Sequence, residues 1–194
     1  GDWSSDVCSS DLDTIKKGGQ SLVFAETRTR SASLATKGSD AVLKFLSDSE
    51  KKYLEQVGQK ILDNNEHTDL IKTLSSLLKK GVGFHHAGLN QNCRETVETE
   101  FRNGNIKLLA STPTLAAGVN LPARRVVISS IVRYDVKAGA NKPISVLEYK
   151  QLCGRAGRPQ YDKFGEAIIV SNANAADITQ YYIEGTPEPI ESQL

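Results

Sequence analysis

Short apolar stretches alternate along the chain with longer segments in which apolar residues recur at every third or fourth position. A short apolar stretch is typical of a buried strand, and we predict strands at residues 21–24, 82–84, 106–110, 125–129 and 165–170. The longer segments have the period of amphipathic helices, and we predict helices after residues 27, 68 and 145, within residues 40–62, and from residue 93 to residue 103. Strands separated by helices indicate an α/β fold, with a mostly parallel sheet and helices on both faces.

One segment departs from this alternation of strands and helices. Residues 131–144 alternate in character around Lys137 to Asn141, which predicts a β-hairpin. The hairpin is followed by Ser145 and Glu148, whose spacing is that of a capping box at the start of a helix.

In an open parallel sheet, ligands bind at the carboxyl ends of the strands. We therefore expect four loops to gather at that edge. They are residues 25–28, 85–89 and 111–120, and residues 154–158 at the last turn of a helix.

Composition narrows the class of protein. Apolar residues make up 39% and charged residues 24%, and the longest apolar runs are too short to span a bilayer. No secretory signal is recognisable. Three cysteines without a C-x-x-C pair argue against a disulfide framework and against a zinc site, and favour a reducing, cytoplasmic compartment. We expect no metal ligands in this chain.

The net charge of +1 conceals an uneven distribution. Residues 94–158 hold eleven Lys/Arg against five Asp/Glu, whereas the rest of the chain holds thirteen against eighteen. The basic stretch is either a phosphate-facing surface or a solvated face without that role, and charge alone does not decide between them.

The two ends differ from the middle. Residues 1–12 are rich in Ser and Asp, lack a helix or strand period and resemble a translated sequencing adaptor, so we expect them to be non-native. Residues 181–194 contain Gly-Thr-Pro-Glu-Pro and predict a linker. The predicted domain is residues 13–180.

Two arginines carry the strongest chemical signal. Arg155 and Arg158 are three positions apart at a helix end, and a guanidinium fork suits the oxygens of a triphosphate during phosphoryl transfer. On spacing alone, a structural pair that caps helix carbonyls is at least as good an interpretation. The surrounding residues change this, because Gln151, Gly154 and Gly157 complete a segment that resembles motif VI of superfamily II helicases.

The resemblance continues through Asp162 and Gly165-Glu166 in the pattern of the Ski-type branch. It implies a RecA-like domain, the second of two motor lobes. It also implies that Gln151, Arg155 and Arg158 act in catalysis and that the two arginines contact ATP.

Residues 109–123 resemble motif V of the same branch. Ser111 and Thr112 follow a predicted strand and offer hydroxyl and amide donors to a nucleic-acid phosphate. The resemblance places the turn at Gly118 and Asn120 near the nucleotide. A plain polar loop is the alternative.

Residues 83–89 resemble motif IVa, and residues 21–28 resemble motif IV. The first segment has the glycine spacing of a P-loop but lacks the Lys-Ser/Thr that must follow, so it does not cradle phosphates. We expect His86 and Gly88 to approach a nucleic-acid backbone and His85 to be buried. Thr27 contacts phosphate or simply caps the next helix.

Ski-type DNA helicases have a strand-separating hairpin between motifs V and VI, where residues 131–144 lie. Arg133 and Tyr134 are therefore candidates to stack on a terminal base pair, and Lys137 and Lys142 would attract phosphates. A surface hairpin without this role is the alternative.

The chain has no Walker A or Walker B box, so it cannot hydrolyse ATP alone, and ATP with Mg²⁺ would be held mainly by a missing first lobe. Within the branch the chain resembles the archaeal Holliday-junction-migration helicases, from residue 20 to residue 194. This implies a monomer that translocates 3′ to 5′ on single-stranded DNA, acts on stalled forks and continues into a winged-helix domain. A lobe of a Ski-type RNA helicase and a non-catalytic nucleic-acid-binding module are the alternatives.

Overall fold

A parallel sheet of five short strands forms the centre of the molecule. The computed structural model describes residues 11–114, 118–136 and 138–187. The sheet has the order β2-β3-β1-β4-β7, and every neighbouring pair is parallel. Its strands are β1 (Ser21–Phe24), β2 (Val82–His85), β3 (Leu108–Ser111), β4 (Arg125–Ile128) and β7 (Glu166–Ile169).

Burial differs between the two edge strands, β2 and β7. All residues of β1, β2 and β3 are buried, whereas β7, at one edge, is only partly buried. Strands covered on both faces need continuous apolar runs, which is the pattern seen in the sequence. The predicted α/β fold with a parallel sheet is confirmed, although the strand expected at residues 106–110 lies at residues 108–111.

The helices connect the strands and cover the sheet. They are α1 (Arg28–Leu43), α2 (Asp48–Asp63), α3 (Asp69–Leu78), α4 (Gln91–Arg102), α5 (Val146–Cys153) and α6 (Ala175–Ile178), the last followed by a π-helical turn (Thr179–Ile183). Because parallel crossovers are right-handed, connections that move in opposite directions along the sheet place their helices on opposite faces. The connection from β1 to β2 runs toward the β2 side of the sheet. The three later connections, which lead to β3, β4 and β7, run toward the β7 side. In the described part of the chain, no helix has the length and apolar character to cross a bilayer.

The helical region predicted at residues 40–62 is divided between two helices. Its first apolar positions end α1, and α2 begins after Ser47. The Ser47 side chain accepts from the Glu50 amide, and the Glu50 carboxylate accepts from the Ser47 amide. This reciprocal capping box, which the sequence analysis did not note, explains why the second helix begins there.

The apolar stripes of the helices pack against the sheet. Ile71, Leu74 and Leu78 of α3 are buried, as are Val97 and Phe101 of α4. These positions follow the helical period predicted for both segments, so hydrophobic burial determines which face of each helix meets the sheet.

A two-stranded antiparallel hairpin projects beyond the sheet. It consists of β5 (Val132–Asp135) and β6 (Ala140–Pro143), as predicted, and most of its residues are exposed. The Ile144 amide donates to the Ile131 carbonyl (2.8 Å) and closes its base. Lys137, a predicted phosphate contact, lies outside the described residues.

Both ends of the described chain pack onto the domain. Residues 11–16 are helical, and Asp11, set aside with residues 1–12 as non-native, is buried beside Ser21. Burial raises the pKa of Asp11 to about 7, although Ser21 and Arg125 oppose the rise. In the segment predicted as a linker, the Tyr182 side chain is 2% exposed and belongs to the hydrophobic core.

Candidate functional site

The segment from Gln151 to Arg158 runs from one edge of the sheet to the other. β4 and β7 are parallel neighbours, so the chain between them must return from the carboxyl end of one to the amino end of the other, and α5 makes this return. Beyond α5, the Ala123 amide donates to the Arg155 carbonyl (2.9 Å), and the Gly157 amide donates to the Ala123 carbonyl (2.7 Å). Ala123 precedes β4, so residues 154–158, the arginine loop, lie at the amino ends of the strands. The expectation that this loop lies at the carboxyl edge is wrong, because a helix antiparallel to the strands ends at the opposite edge.

Two glycines bring the arginine loop against the start of β7. Gly157 has a φ of +94°, which favours glycine. A Cβ on Gly165 would lie 2.3 Å from the carbonyl carbon of Ala156 and 2.3 Å from the Gly157 nitrogen. The loop and the strand therefore touch through backbone alone, which explains why a glycine is needed at each position.

Arg155 faces the loop that precedes β4. Its Nη1 donates to Oδ1 of Asn120 (3.1 Å), and the arginine side chain is half-buried. Asn120 and Gly118 are both exposed. The structure thus brings together Arg155 and Asn120, which were each predicted to contact the nucleotide, while residues 115–117 of the same loop are not among those described.

Arg158 is held by partners within the protein. Its Nε and Nη2 donate to the two carboxylate oxygens of Asp162 (2.8 and 2.9 Å), and its Nη1 donates to Oε1 of Gln20 (2.9 Å). The bond from Arg158 lowers the pKa of Asp162, and the same bond raises the pKa of Arg158. The two arginines were expected to act together on ATP, but each has its own partners here. Through its bond to Gln20, the residue before β1, Arg158 joins the arginine loop to the centre of the sheet.

Gln151 lies at the other edge, in an open cleft of about 440 Å³. The cleft is bounded by the carboxyl ends of β1 and β4, the hairpin and the first turns of α5. Its polar lining includes Glu26, Thr112, Thr114, Ser130, Arg133, Ser145, Glu148 and Gln151. The structure therefore groups Gln151 with the predicted nucleic-acid residues rather than with the two arginines.

The His86 ring is buried and fixed by its own loop. Its Nδ1 accepts from the Gly88 amide (3.0 Å), and the ring stacks on Phe84. A Cβ on Gly88 would lie 3.0 Å from that ring, so the close approach needs glycine. Burial lowers the pKa of His86, and Arg28 and His85 lower it further, which keeps the ring neutral at pH 7.

His85 is buried, as expected. Its Nε2 lies 2.8 Å from the Glu98 carboxylate. Burial lowers the pKa of His85, and the attraction of Glu98 opposes this shift without reversing it.

The polar residues at the end of β3 and just after it are divided between interior and surface. The Ser111 side chain is fully buried, and its hydroxyl donates to the His85 carbonyl (3.0 Å). The Thr112 amide donates to the same carbonyl (3.2 Å), while its half-buried side chain lies beside Thr114 at the cleft. The Thr112 hydroxyl is thus the better placed of the two predicted phosphate contacts.

Thr27 caps α1, because its side chain accepts from the Arg30 amide (3.1 Å). Its exposed neighbour Arg28 was not singled out from the sequence. In the structure the Arg28 Nη1 lies 3.4 Å from the position that a Cβ on Gly88 would occupy. This guanidinium therefore lies beside Gly88 and His86 at the carboxyl edge. The sequence feature that could have identified Arg28 is its position directly after Thr27, at the end of segment 21–28, in the loop that follows a strand.

The predicted wedge residues differ in their surroundings. The Tyr134 side chain is 63% exposed, and Val136 beside it is 84% exposed. The Arg133 Nη1 instead donates to Oε1 of Glu148 (2.8 Å). Burial raises the pKa of Glu148, and Arg133 opposes the rise. Only the Ser145 half of the predicted capping box is seen, because the Glu148 carboxylate turns toward the hairpin.

The basic stretch does not form one face. Four of its cations pair with carboxylates from outside it: Lys107 with Glu50, Arg124 and Arg125 with Glu166, and Arg158 with Asp162. These pairs use charge to join distant segments, so the excess seen in the sequence overstates the charge available to a ligand. Among the described residues, no three His, Cys, Asp or Glu side chains are grouped so as to hold a metal ion.

Comparison with known proteins identifies the family of this chain. Three proteins named ATP-dependent DNA helicase Hel308 are similar to the chain: 46% identical in Methanocella arvoryzae, 45% in Aeropyrum pernix and 40% in Caldivirga maquilingensis. Each match covers 94% of this chain, and the chain spans about a quarter of the length of these relatives. Residues 5–160 match the family model described as helicase conserved C-terminal domain. Because that match covers most of the chain, and motifs V and VI lie within it, the chain belongs to the family of helicase conserved C-terminal domains.

Proposed function

We propose that this chain is the second motor lobe of an ATP-dependent DNA helicase that moves 3′ to 5′ on single-stranded DNA and unwinds forked or branched DNA. The observation that carries the proposal is the arrangement of Arg155. It lies beside Asn120 in a loop tied to the start of β4, at the edge opposite to the candidate nucleic-acid loops. One rigid sheet thus connects a nucleotide site to a nucleic-acid site, as a motor requires.

Toward the nucleotide, this chain would contribute mainly the positive charge of one arginine side chain. Arg155 has a fixed charge and several donors, which suit phosphate oxygens. The described residues include no carboxylate cluster for Mg²⁺, so the metal and most of the triphosphate would be held by a first lobe. ATP bound between the lobes supplies the free energy of γ-phosphoryl transfer, and Arg155 would stabilise the charge that develops there. Arg158, held by Asp162 and Gln20, would keep the arginine loop in position.

On the nucleic-acid side, Arg28, the Gly88 loop and Thr112 lie at the carboxyl edge. Arg28 provides the positive charge, and the Thr112 hydroxyl borders the cleft. The exposed Tyr134 and Val136 of the hairpin would meet the junction where the strands separate. A first lobe and a winged-helix domain in the same monomeric, cytoplasmic protein would complete the motor.

The test uses the full-length protein that carries this lobe. We expect ATP hydrolysis to be stimulated by single-stranded DNA, and a fork with a 3′ tail to be unwound faster than one with a 5′ tail. Single-stranded RNA of the same sequence is the control polymer. Stimulation by RNA alone would replace the DNA assignment with an RNA helicase. Binding of either polymer without any stimulated hydrolysis would contradict the motor role.

A further inference from the structure

The hairpin and the motif VI helix are separated by two residues, Ile144 and the cap residue Ser145. β6 ends at Pro143, and Ser145 already caps α5, where its side chain accepts from the Glu148 amide (3.0 Å). Ile144 is buried, and its amide donates to Ile131 at the opposite leg of the hairpin (2.8 Å). Rotation of the hairpin relative to α5 must therefore take place at this short connection, and Ile144 is its buried residue.

We call Ile144, where the hairpin meets α5, the joint. Its carbonyl accepts a hydrogen bond from a residue that belongs to neither element. Tyr182, in the π-helical turn after α6, donates its hydroxyl to the Ile144 carbonyl (2.9 Å), and this contact is buried. Both backbone polar groups of Ile144 are thus bonded. A buried hydrogen bond of this kind is costly to break, so Tyr182 restricts the joint.

Tyr182 also contacts the helix. Its ring centroid lies 5.0 Å from that of Tyr149 on α5. The segment that carries Tyr182 meets α5 again where the Lys150 ammonium donates to the Gly185 carbonyl (2.7 Å). These contacts make residues 179–185 a strap across α5 and the joint.

A second tie lies on the other side of the joint. Arg133 of β5 pairs with Glu148 in the first turn of α5, and the Glu148 side chain is only 15% exposed. Hairpin and helix are therefore joined by an ion pair as well as by the Tyr182 strap.

The far end of α5 is also anchored. The Arg155 amide bonds back to Leu152 (3.2 Å), so the helical turn continues into the arginine loop, and the Arg155 carbonyl accepts from Ala123. Eight residues of helix span about 12 Å. A rigid element of this length links the proposed nucleotide site directly to the base of the hairpin.

We propose that Tyr182 is a positioning residue that locks the joint at Ile144, so that displacement of the arginine loop reaches the hairpin through α5. The proposal rests on the motor function proposed above. It assigns to the segment after the last strand a role in coupling hydrolysis to strand separation, whereas the sequence alone indicated a linker.

The experiment measures two rates in the full-length protein: DNA-stimulated ATP hydrolysis and unwinding of a 3′-tailed fork. For Tyr182→Ala we expect the number of base pairs separated per ATP to fall about tenfold, while hydrolysis stays near that of the parent. Tyr182→Phe keeps the ring and loses only the bond to Ile144, so a fall of about threefold is expected. Because Tyr182→Phe preserves the packing, it keeps the test valid where the alanine variant fails to fold.

Tyr53→Phe is the matched control. Tyr53 also donates its hydroxyl across the fold, to Glu100 (3.0 Å), but it lies on α2, which is not part of the joint. Its base pairs per ATP should equal those of the parent. Glu148→Gln, which weakens the second tie, should lower the ratio as Tyr182→Phe does.

The outcomes separate the two proposals. A parent protein without DNA-stimulated hydrolysis overturns the motor function, and the coupling role falls with it. A parent that unwinds DNA while the Tyr182 variants keep its ratio of base pairs to ATP overturns the coupling role alone. A proportional loss of both rates in Tyr182→Phe means that the tyrosine only stabilises the fold, which also overturns the coupling role.

Discussion

The two edges of the sheet are built in different ways. At the carboxyl edge, the ends of β2 and β3 and the loops after them are held by neutral groups: the His86 ring accepts from Gly88, and the Ser111 hydroxyl donates to His85. At the amino edge, ion pairs join distant segments: Arg158 with Asp162, and Lys107 with Glu50. The first edge keeps short polar loops in shape. The second holds the arginine loop against the rest of the domain.

In the proposed motor lobe, this difference would separate the nucleotide contact from the nucleic-acid contact. Loops that follow strands directly are positioned by the strands, so the candidate nucleic-acid residues need few long-range contacts. The arginine loop follows a helix, and its location depends on what it meets at the far edge, which is why Gly157, Gly165 and Asp162 are needed. Four predictions test this contrast, from the largest expected effect to the smallest.

The largest effect is expected at the amino edge. Arg155→Ala should lower DNA-stimulated ATP hydrolysis by about 10³-fold in the full-length protein, because an arginine that stabilises phosphoryl-transfer charge contributes roughly that much. Steady-state phosphate release measures this. Arg102→Ala, an exposed arginine at the end of α4, is the control and should leave the rate unchanged. If Arg155→Ala kept its activity, the nucleotide contact would have to be assigned to another residue.

Asp162→Asn should loosen the arginine loop. The Arg158 guanidinium, on a side chain that is 19% exposed, would lose its carboxylate partner, and leaving a largely buried charge without its partner costs about 3 kcal/mol of unfolding free energy. Urea denaturation of this chain measures the change. Asp177→Asn, at an exposed position of α6, should shift stability by less than about 0.5 kcal/mol. Equal effects of the two substitutions would show that the Arg158 pair does not hold the loop.

The two edges should respond to acid in different pH ranges. Burial alone would raise the pKa of Glu50, but bonds from Lys107 and Ser47 lower it to about 2 from 4.5. A lowered carboxyl pKa stabilises the fold above the unfolded value, and this contribution is lost as the pH falls through the folded value. Glu50→Gln should therefore cost about 1–2 kcal/mol at pH 7, allowing for solvent screening, and nothing near pH 2.

The comparison at the carboxyl edge is His86→Asn, which keeps an acceptor for the Gly88 amide. The lowered pKa of His86 means that the parent loses stability as the pH falls below 6.5, and the variant should lack the part of this loss that His86 contributes. Urea denaturation between pH 2 and pH 8 follows both edges, because this range begins at the folded pKa of Glu50 and extends above the ordinary pKa of a histidine. Identical pH profiles for the two variants would remove the electrostatic distinction between the edges.

The smallest effect is expected for Arg28→Ala. Loss of one phosphate contact should weaken binding of single-stranded DNA about threefold and reduce the slope of log affinity against log salt by about 0.7. Fluorescence anisotropy at several salt concentrations measures both values. Arg30→Ala, two residues further along α1, is the control and should keep the parent slope. An unchanged slope in Arg28→Ala would exclude this guanidinium from the nucleic-acid contact.

Local features were predictable wherever a short stretch of sequence decides the outcome. β1 lies at the predicted residues, and Thr27 and Thr68 cap helices because each side chain bonds to an amide three positions on. The hairpin was found from its alternation. Motif VI was found from its residue order.

Contacts between distant residues were not predictable in this way. Ser111 was chosen for its hydroxyl, but only the packing of β3 beside β2 shows that this hydroxyl is buried. Glu148 has the spacing of a capping residue, yet its carboxylate pairs with Arg133 because the hairpin folds back over α5. Arg28 was missed because the Gly88 loop, which it lies beside in the structure, is some sixty positions away in the sequence.

The sequence by itself determined the α/β class, the helix caps, the hairpin and the family, because each depends on residues a few positions apart or on a short ordered motif. Only the tertiary structure decided that the arginine loop lies at the amino edge, that Arg158 is bound by Asp162 and Gln20, and that Tyr182 is a core residue at Ile144. The sequence states the chemistry of each side chain. The partner of that side chain depends on which distant segments hydrophobic burial brings together.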